Sequence, residues 1–188
     1  MKRAVRAALL CGCAALAPSW AAAAWDVAAL MQMLREHPPG RVHFVETKEV
    51  SVLDRPLESS GELVFTPPDR LEKHVTSPGD ERMVADRERL VIERRGRRQE
   101  LALAEYPEVA VLVESIRGTL AGDRAALEAA YALELQGDAP SWRLTLTPRD
   151  AALGKLVTRV MIEGSQAQVQ RVTVEQADGD RSLMRILR

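Results

Sequence analysis

The feature that most constrains the fold is a series of short segments in which apolar and polar residues alternate. The clearest is residues 142–147, where Trp142, Leu144 and Leu146 share one face. A period of two is typical of a half-buried β-strand. Turn residues such as Pro67-Pro68 and Asp178-Gly179 separate the segments. About eleven strands are predicted, at residues 42–52, 61–66, 71–77, 82–86, 89–94, 97–103, 131–136, 142–147, 157–163, 169–176 and 182–187.

Two regions have helical periodicity instead. In residues 27–36 apolar side chains recur at spacings of three and four, and Asp26 is a candidate N-cap. A second helix is predicted from Pro107, followed by a short one from Asp123 through residue 130. The apolar stripe of the second helix is formed by Val109, Leu112, Val113, Ile116 and Leu120. Because the connections between strands are too short for parallel crossovers, we expect a strongly curved antiparallel sheet with helices over its concave side.

The first 24 residues have the pattern of a cleaved secretory signal. Lys2, Arg3 and Arg6 precede a short apolar run at residues 7–17, and four alanines occupy residues 21–24. We expect cleavage after Ala24, which leaves a single domain at residues 25–188. A competing interpretation is a lipoprotein signal with Cys13 acylated, but the apolar segment before Cys13 is short for a signal core.

Composition and motifs argue against several functional classes. Without the signal, the 26 basic and 27 acidic residues become 23 and 27, a formal net charge of −4, so we expect no nucleic-acid partner. The three histidines, His37, His43 and His74, stand apart in the sequence and predict no metal site. No nucleophile elbow, phosphate-binding loop or dinucleotide fingerprint is present in the sequence. We therefore expect a protein that is not an enzyme and that uses no cofactor.

The run Glu93-Arg94-Arg95-Gly96-Arg97-Arg98 has two interpretations. It is either a patch that binds anions or membrane headgroups, or a solvated hairpin end. Acidic residues nearby in the sequence favour the solvated end.

Several short motifs resemble the LolA-like outer-membrane lipoprotein carriers. They are Val42-His43-Phe44-Val45-Glu46-Thr47-Lys48, residues 56–65 with the Gly61-x-Leu63 pattern, Thr66-Pro67-Pro68-Asp69-Arg70-Leu71, Leu120-Ala121-Gly122-Asp123 and Asp178-Gly179-Asp180-Arg181-Ser182. The chain most resembles the divergent branch associated with lipid or aryl-polyene export. The resemblance implies a mainly β fold, an incomplete antiparallel barrel whose apolar cavity is closed by a lid of helices.

The resemblance also implies where cargo binds. With the strand alternation and the helical stripe, it predicts apolar cargo-binding residues at Leu63, Phe65, Met83, Val109, Leu112, Val113, Ile116, Leu133, Leu135, Trp142, Leu144 and Leu146. The alternative is a filled core without a cavity. In the principal carriers an arginine before the strand-ending proline holds the lid. Pro67 occupies that place here, so Arg70 is the predicted contact with the rim or lid.

The function expected from the resemblance is a monomeric periplasmic carrier. It would shield acyl chains of lipoproteins, lipids or polyene-type lipids between an inner-membrane donor and an outer-membrane acceptor. The alternative is a periplasmic lipid-sensing regulator of the RseB type on the same fold. A lipid-modifying enzyme is the third candidate, disfavoured by the missing nucleophile and base.

Overall fold

The computed structural model describes residues 25–187, so the predicted signal, with Cys11 and Cys13, lies outside the described residues. The helices are α1 (Val27–Glu36), α2 (Pro107–Leu120), α3 (Arg124–Ala130) and α4 (Ala151–Gly154), and a 3-10 turn (Leu103–Glu105) precedes α2. The strands are β1 (Arg41–Glu49), β2 (Leu57–Thr66), β3 (Arg70–Ser77), β4 (Glu81–Asp86), β5 (Arg89–Arg94), β6 (Arg97–Ala102), β7 (Tyr131–Asp138), β8 (Ser141–Pro148), β9 (Val157–Ser165), β10 (Gln168–Gln176) and β11 (Arg181–Leu187).

All eleven strands form one antiparallel sheet in the order β6-β5-β4-β3-β2-β1-β11-β10-β9-β8-β7. The first and last strands pair at its centre, where Phe44 lies opposite Ile186. The outer strands β6 and β7 are not paired with each other in the described residues, so the sheet stays open. This confirms the predicted fold class, an incomplete antiparallel barrel of eleven strands with helices over its concave face.

Strand alternation assigns the faces as predicted. Trp142, Leu144 and Leu146 of β8 are buried on the concave face, while Arg143 is exposed on the outward face. A one-residue shift of register would exchange these sets, so the apolar face fixes the pairing.

The helices cover the concave face and complete the main core. Asp26 caps α1 by accepting from the Ala29 N–H at 2.9 Å, and Leu30, Met31 and Leu34 of that helix are almost fully buried. They belong to one cluster with the concave side chains of β8 and β9. Asp123 caps α3 in the same way, accepting from the Ala126 N–H at 3.0 Å. The sequence therefore predicted both capping residues correctly.

The prediction was wrong at two strand boundaries. β1 ends at Glu49, and Val50 and Val52 lie in the loop that follows, where the Leu53 N–H donates to the Val50 carbonyl at 2.9 Å. β2 begins at Leu57, four residues before the predicted start. The short α4, whose cap Asp150 accepts from two backbone N–H groups, and the 3-10 turn were not predicted.

The register defines two ends of the sheet. We call one the mouth end, which carries the β2–β3, β4–β5 and β9–β10 turns and the start of β1. We call the other the far end, which carries the β1–β2 loop (residues 50–56) and the β3–β4, β5–β6 and β10–β11 turns.

Candidate functional site: an apolar cavity under the helices

A partly open cavity of about 1050 Å³ lies at the mouth end of the sheet. Its walls come from α1, α2, the α1–β1 connection and the concave face of β1, β2, β3, β10 and β11. The larger apolar side chains of the lining are those of Met33, Val42, Leu63, Phe65, Leu71, Ile116, Leu120, Val169, Val172, Met184, Ile186 and Leu187. Polar lining residues are His37, Arg41, His43, Ser165, Gln166, Gln168 and Gln170. Because it opens to solvent at the mouth end, this space is a cleft and not a void left by imperfect packing.

The sequence explains why this space remains open. Residues 37–40, His-Pro-Pro-Gly, end α1 and turn the chain directly into β1, so no helix covers the sheet beyond that point. Met33, in the last turns of α1, is only half-buried although it belongs to the apolar helix face. The concave side chains of Val42, Val169 and Ile186 are also half-buried. An apolar surface is thus left without a packing partner.

The predicted site residues divide into three groups. Leu63, Phe65 and Ile116 line the cavity. Trp142, Leu144 and Leu146 pack in the filled core, with Leu112, Leu133 and Leu135 half-buried against it. Val109 and Val113 belong to a second cluster with Ala85, Leu90 and Leu103.

Met83, also predicted, is half-buried on β4 and is not among the residues that line the cavity. The apolar stripe of α2 is therefore split, because Leu112 and Ile116 pack in the main core while Val109 and Val113 pack in the second cluster. Sequence reasoning missed Val111, the most buried valine of α2, and the lining residues Met33, Val172, Met184 and Ile186. The β10 and β11 residues follow the same alternation that identified Leu63 and Phe65, so that signal was available.

The buried Arg117 fastens α2 to the mouth end of the sheet. This side chain is 9% exposed. Its Nη1 donates to the Arg87 carbonyl in the β4–β5 turn at 2.9 Å, and its Nη2 is 3.4 Å from Asp69 Oδ1 in the β2–β3 turn. Glu114, one turn earlier on α2, lies 3.2 Å from Nη1. The Nε–H has no partner among the described residues. The contacts to Arg87 and Asp69 link the helix to two turns at once.

Tyr131 fastens the opposite side of α2. Its hydroxyl donates to the Val111 carbonyl at 2.9 Å from the start of β7. Burial, together with the nearby Glu114 carboxylate, raises the pKa of Tyr131 to about 12, so this donor keeps its proton at any physiological pH. The helix thus bridges the two halves of the open sheet through one tyrosine and one arginine.

The helices are also joined to each other. Arg35 of α1 donates from Nη2 to the Gly122 carbonyl at 2.5 Å, in the turn between α2 and α3. Gly122 has a φ of 62°, and a Cβ there would lie 2.1 Å from the Met31 carbonyl oxygen. Only glycine permits both the left-handed conformation and this close approach of α1. The three helices therefore form one packed group above the sheet.

Arg70 lies elsewhere. Adjacent residues of a strand point to opposite faces, so with Leu71 in the cavity wall Arg70 points outward. There its Nε donates to Glu72 at 2.9 Å and its Nη1 to Asp86 at 3.0 Å. The hydrogen bonds of Arg70 are therefore made within the sheet, whereas Arg117 is the arginine that bonds the helix to the sheet. Asp69, which precedes Arg70 in the sequence, accepts from Arg117.

An ion pair limits the apolar surface on the concave face. Glu46, only 3% exposed, accepts hydrogen bonds from Lys73 and, at 2.7 Å, from Ser182. Lys73 lies opposite Leu63 in the pairing of β2 and β3, with Nζ 5.0 Å from the centre of the Phe44 ring.

Burial and the mutual attraction of Glu46 and Lys73 shift the pKa values of both groups. Burial acts to raise the pKa of Glu46, but Lys73 and Lys48 outweigh it and lower the pKa below its ordinary value. Burial also lowers the pKa of Lys73, and Glu46 opposes that shift. Glu46 is therefore ionised at neutral pH, and the apolar lining ends at a charged boundary.

Within residues 25–187, no group of three or more His, Cys, Asp or Glu side chains is arranged to hold a metal ion. In the same range, no helix has both the length and the apolar character needed to cross a membrane.

Comparisons with solved structures find similar folds at low identity. A LolA superfamily protein from Nitrosomonas europaea is 12% identical, with a TM-score of 0.48 over 88% of this chain and 93% of that one. Lipoprotein LppX from Mycobacterium tuberculosis is 9% identical, with a TM-score of 0.44 over 86% and 93%. The MucA/MucB complex of Pseudomonas aeruginosa gives 13% identity and a TM-score of 0.44, over 86% of this chain and 55% of the matched chain.

The sequence comparisons identify the family. No curated protein sequence matches the chain significantly. The family model described as outer membrane lipoprotein carrier protein LolA-like, in contrast, matches residues 19–186, nearly the whole chain. The chain therefore belongs to the LolA-like family of outer membrane lipoprotein carrier proteins.

Proposed function

We propose that this protein is a periplasmic carrier that shields the acyl chains of lipoproteins, lipids or polyene-type lipids during transfer toward the outer membrane. The observation that carries the proposal is the apolar cavity of about 1050 Å³ between the helices and the concave sheet. Its volume is at the upper end of the roughly 300–1,000 Å³ typical of small-ligand sites. Membership of a carrier family supports the same conclusion.

The energetics suit an acyl chain. Each methylene moved from water into an apolar site gains about 0.8 kcal/mol, so ten methylenes gain about 8 kcal/mol before the costs of association. No polar partner is needed along the chain itself, which matches a wall built from Leu63, Phe65, Met184 and Ile186. Two flexible methionines, Met33 and Met184, allow the wall to adapt to cargo of different shape.

We propose that loading and release move the helices away from the sheet and widen the partly open cavity. The polar contacts that oppose this movement are Arg117 at one side of α2 and Tyr131 at the other. The apolar packing of Val111, Val113 and Ile116 opposes it as well. Lids are drawn from elements of low local stability. We propose that α2 is this lid, and that a donor or acceptor protein at either membrane promotes its opening.

Export follows from the predicted signal. A positively charged start, a short apolar run and the alanines at residues 21–24 would direct the chain across the inner membrane. Cleavage after Ala24 would release it to the periplasm, between the proposed donor and acceptor membranes.

A cavity-filling variant tests the proposal. Met33→Trp adds volume to the cavity from α1, and Ile186→Trp adds it from the opposite wall. Both should lower the affinity for an apolar fluorescent probe at least about tenfold, because the inserted ring occupies the space of two or more methylenes. Thermal unfolding of each variant checks that the fold is kept.

Met161→Trp is the matched control. Met161 is half-buried on β9, with its concave neighbours Val160 and Ile162 facing the core, so its side chain points outward. Probe binding should remain at the wild-type level in this variant. Wild-type affinity in folded Met33→Trp and Ile186→Trp would contradict a cargo site in this cavity.

A further inference from the structure

The far end of the sheet exposes large apolar side chains in one loop. Val52 is 85% exposed, Leu53 46% and Leu57 53%, all within the β1–β2 loop or at the first residue of β2. The loop is ordered by contacts across the same end, since the Ser51 N–H donates to Asp180 Oδ1 at 2.7 Å. Three large apolar side chains exposed within one short stretch make this loop a candidate interaction site.

The β5–β6 hairpin carries an excess of arginine at the same end. Residues 89–100 contain five arginines and two glutamates. Arg94 pairs with Glu81 at 3.1 Å and Arg98 pairs with Glu93. Arg95 and Arg97, on either side of Gly96, are exposed and have no ion-pair partner among the described side chains. The hairpin borders a surface groove of about 610 Å³. Its tip therefore presents uncompensated positive charge.

The apolar loop and the arginine tip lie at one end of the sheet with β3 and β4 between them. Adjacent strands are about 4.8 Å apart, which places β2 and β5 roughly 14 Å from each other. Between the two features, Asp80 is held by His74 at 2.7 Å, and Asp180 accepts from the Ser51 N–H. Three exposed carboxylates, Glu49, Asp54 and Glu58, lie in or beside the apolar loop, so the excess positive charge is confined to the hairpin tip.

We propose that the far end is a docking surface for a bilayer that contains anionic lipid. Arginine binds phosphate through paired N–H donors, and exposed apolar side chains enter the interfacial region. The two features are separate and present no continuous face. A stable protein partner would need about 800 Å² of complementary surface on this chain, whereas a lipid surface adapts to separate contacts.

Docking at the far end leaves the mouth of the cavity pointing away from the bilayer, because the two lie at opposite ends of the strands. The proposal therefore concerns attachment to a membrane surface, and it does not depend on what the cavity binds. Binding of the probe in the cavity tests the proposed function, and attachment to vesicles tests the present proposal. Either result can be negative while the other is positive.

Vesicle co-sedimentation tests the proposal. The purified protein is mixed with phosphatidylcholine vesicles prepared with or without phosphatidylglycerol. We expect binding to the anionic vesicles, and weaker binding at high salt. The double variant Arg95→Gln/Arg97→Gln should reduce the partition coefficient roughly 30-fold, since each arginine near an anionic surface contributes about a factor of five. The double variant Val52→Ser/Leu53→Ser should also weaken binding to the vesicles. This decrease in binding relative to the wild type should persist at high salt.

The double variant Arg171→Gln/Arg185→Gln is the matched control. It removes the same formal charge from the outward face of β10 and β11, where these two residues lie opposite each other. Arg171 pairs there with Glu163 at 2.8 Å. Its partition should remain within about twofold of the wild type. Equal binding to neutral and anionic vesicles would overturn the proposal, and so would an equal loss of binding in the control variant. Sedimentation with native membranes that retain their proteins, but not with pure lipid vesicles, would also overturn it. Apolar-probe affinity should be unchanged in all of these variants.

Discussion

Replacing Arg117 with methionine should loosen α2 while the sheet stays folded. Methionine keeps the apolar stem of the side chain but removes the guanidinium that bonds the Arg87 carbonyl and Asp69. The change removes the contacts between helix and sheet at the mouth end, together with the 3.2 Å contact to Glu114 within α2. Tyr131 still holds the other side of the helix, so a partial opening is expected and not the loss of the fold.

The magnitude follows from the geometry. A hydrogen bond to a charged group contributes about 1.5–3 kcal/mol, and the 2.9 Å bond to the Arg87 carbonyl is the stronger of the two. The 3.4 Å contact to Asp69 contributes less, because that carboxylate is 43% exposed and can be hydrated. Removing the unpartnered Nε–H offsets part of the loss. We expect a net effect of about 2 kcal/mol on opening, or roughly 30-fold.

Hydrogen exchange followed by mass spectrometry measures this opening directly. Peptides covering residues 107–120 should exchange roughly 30-fold faster in Arg117→Met, while peptides of β1 and β11 keep their protection. The control is Arg70→Met, which removes an arginine of similar contacts that is bonded only within the sheet. Unchanged exchange in α2, a uniform loss across the chain, or the same response in Arg70→Met would refute the assignment of Arg117 as the lid fastening.

Two further predictions concern the buried ion pair and export. Lys73→Met leaves Glu46 buried without its closest cation, which should lower the free energy of unfolding by roughly 3–5 kcal/mol at neutral pH. In the wild type the pKa of Glu46 is lowered, so its stabilisation is present above about pH 4.5 and is lost as the pH falls through the lowered value. In urea unfolding, the difference in free energy of unfolding between variant and wild type should therefore become smaller as the pH falls into the acid range. A difference that stays constant with pH would contradict this. Separately, the intact mass of the exported protein should correspond to a chain beginning at Trp25. A species beginning at Cys13 with added acyl mass would instead establish a lipoprotein.

The fold was largely predictable because its strongest signals are local. The alternation of residues 142–147 and the helical spacing of residues 27–36 each depend on neighbours in the sequence, and short connections exclude parallel pairing. Val50 and Val52 misled the prediction because β-branched apolar residues favour strands. Here both residues lie in the loop after β1, and Val52 is 85% exposed.

The candidate site was harder to predict because a cavity is a property of the space between elements. Alternation places both Leu63 and Leu144 on the concave face, where both are buried. Only the placement of the helices decides that Leu144 packs in the filled core while Leu63 lines the cavity. The contact of Arg117 with Arg87 joins residues 30 positions apart through a backbone carbonyl. No local pattern signals such a bond.

Native mass spectrometry of the protein isolated from its own periplasm would show directly whether the cavity holds cargo. We expect a fraction of the molecules to carry one additional mass that matches an acylated lipid or lipoprotein. That fraction should fall sharply in Met33→Trp and remain in Met161→Trp, because only the first substitution fills the cavity. A wild-type protein that carries no such mass, or equal occupancy in the two variants, would contradict a carrier whose cargo lies between the helices and the sheet.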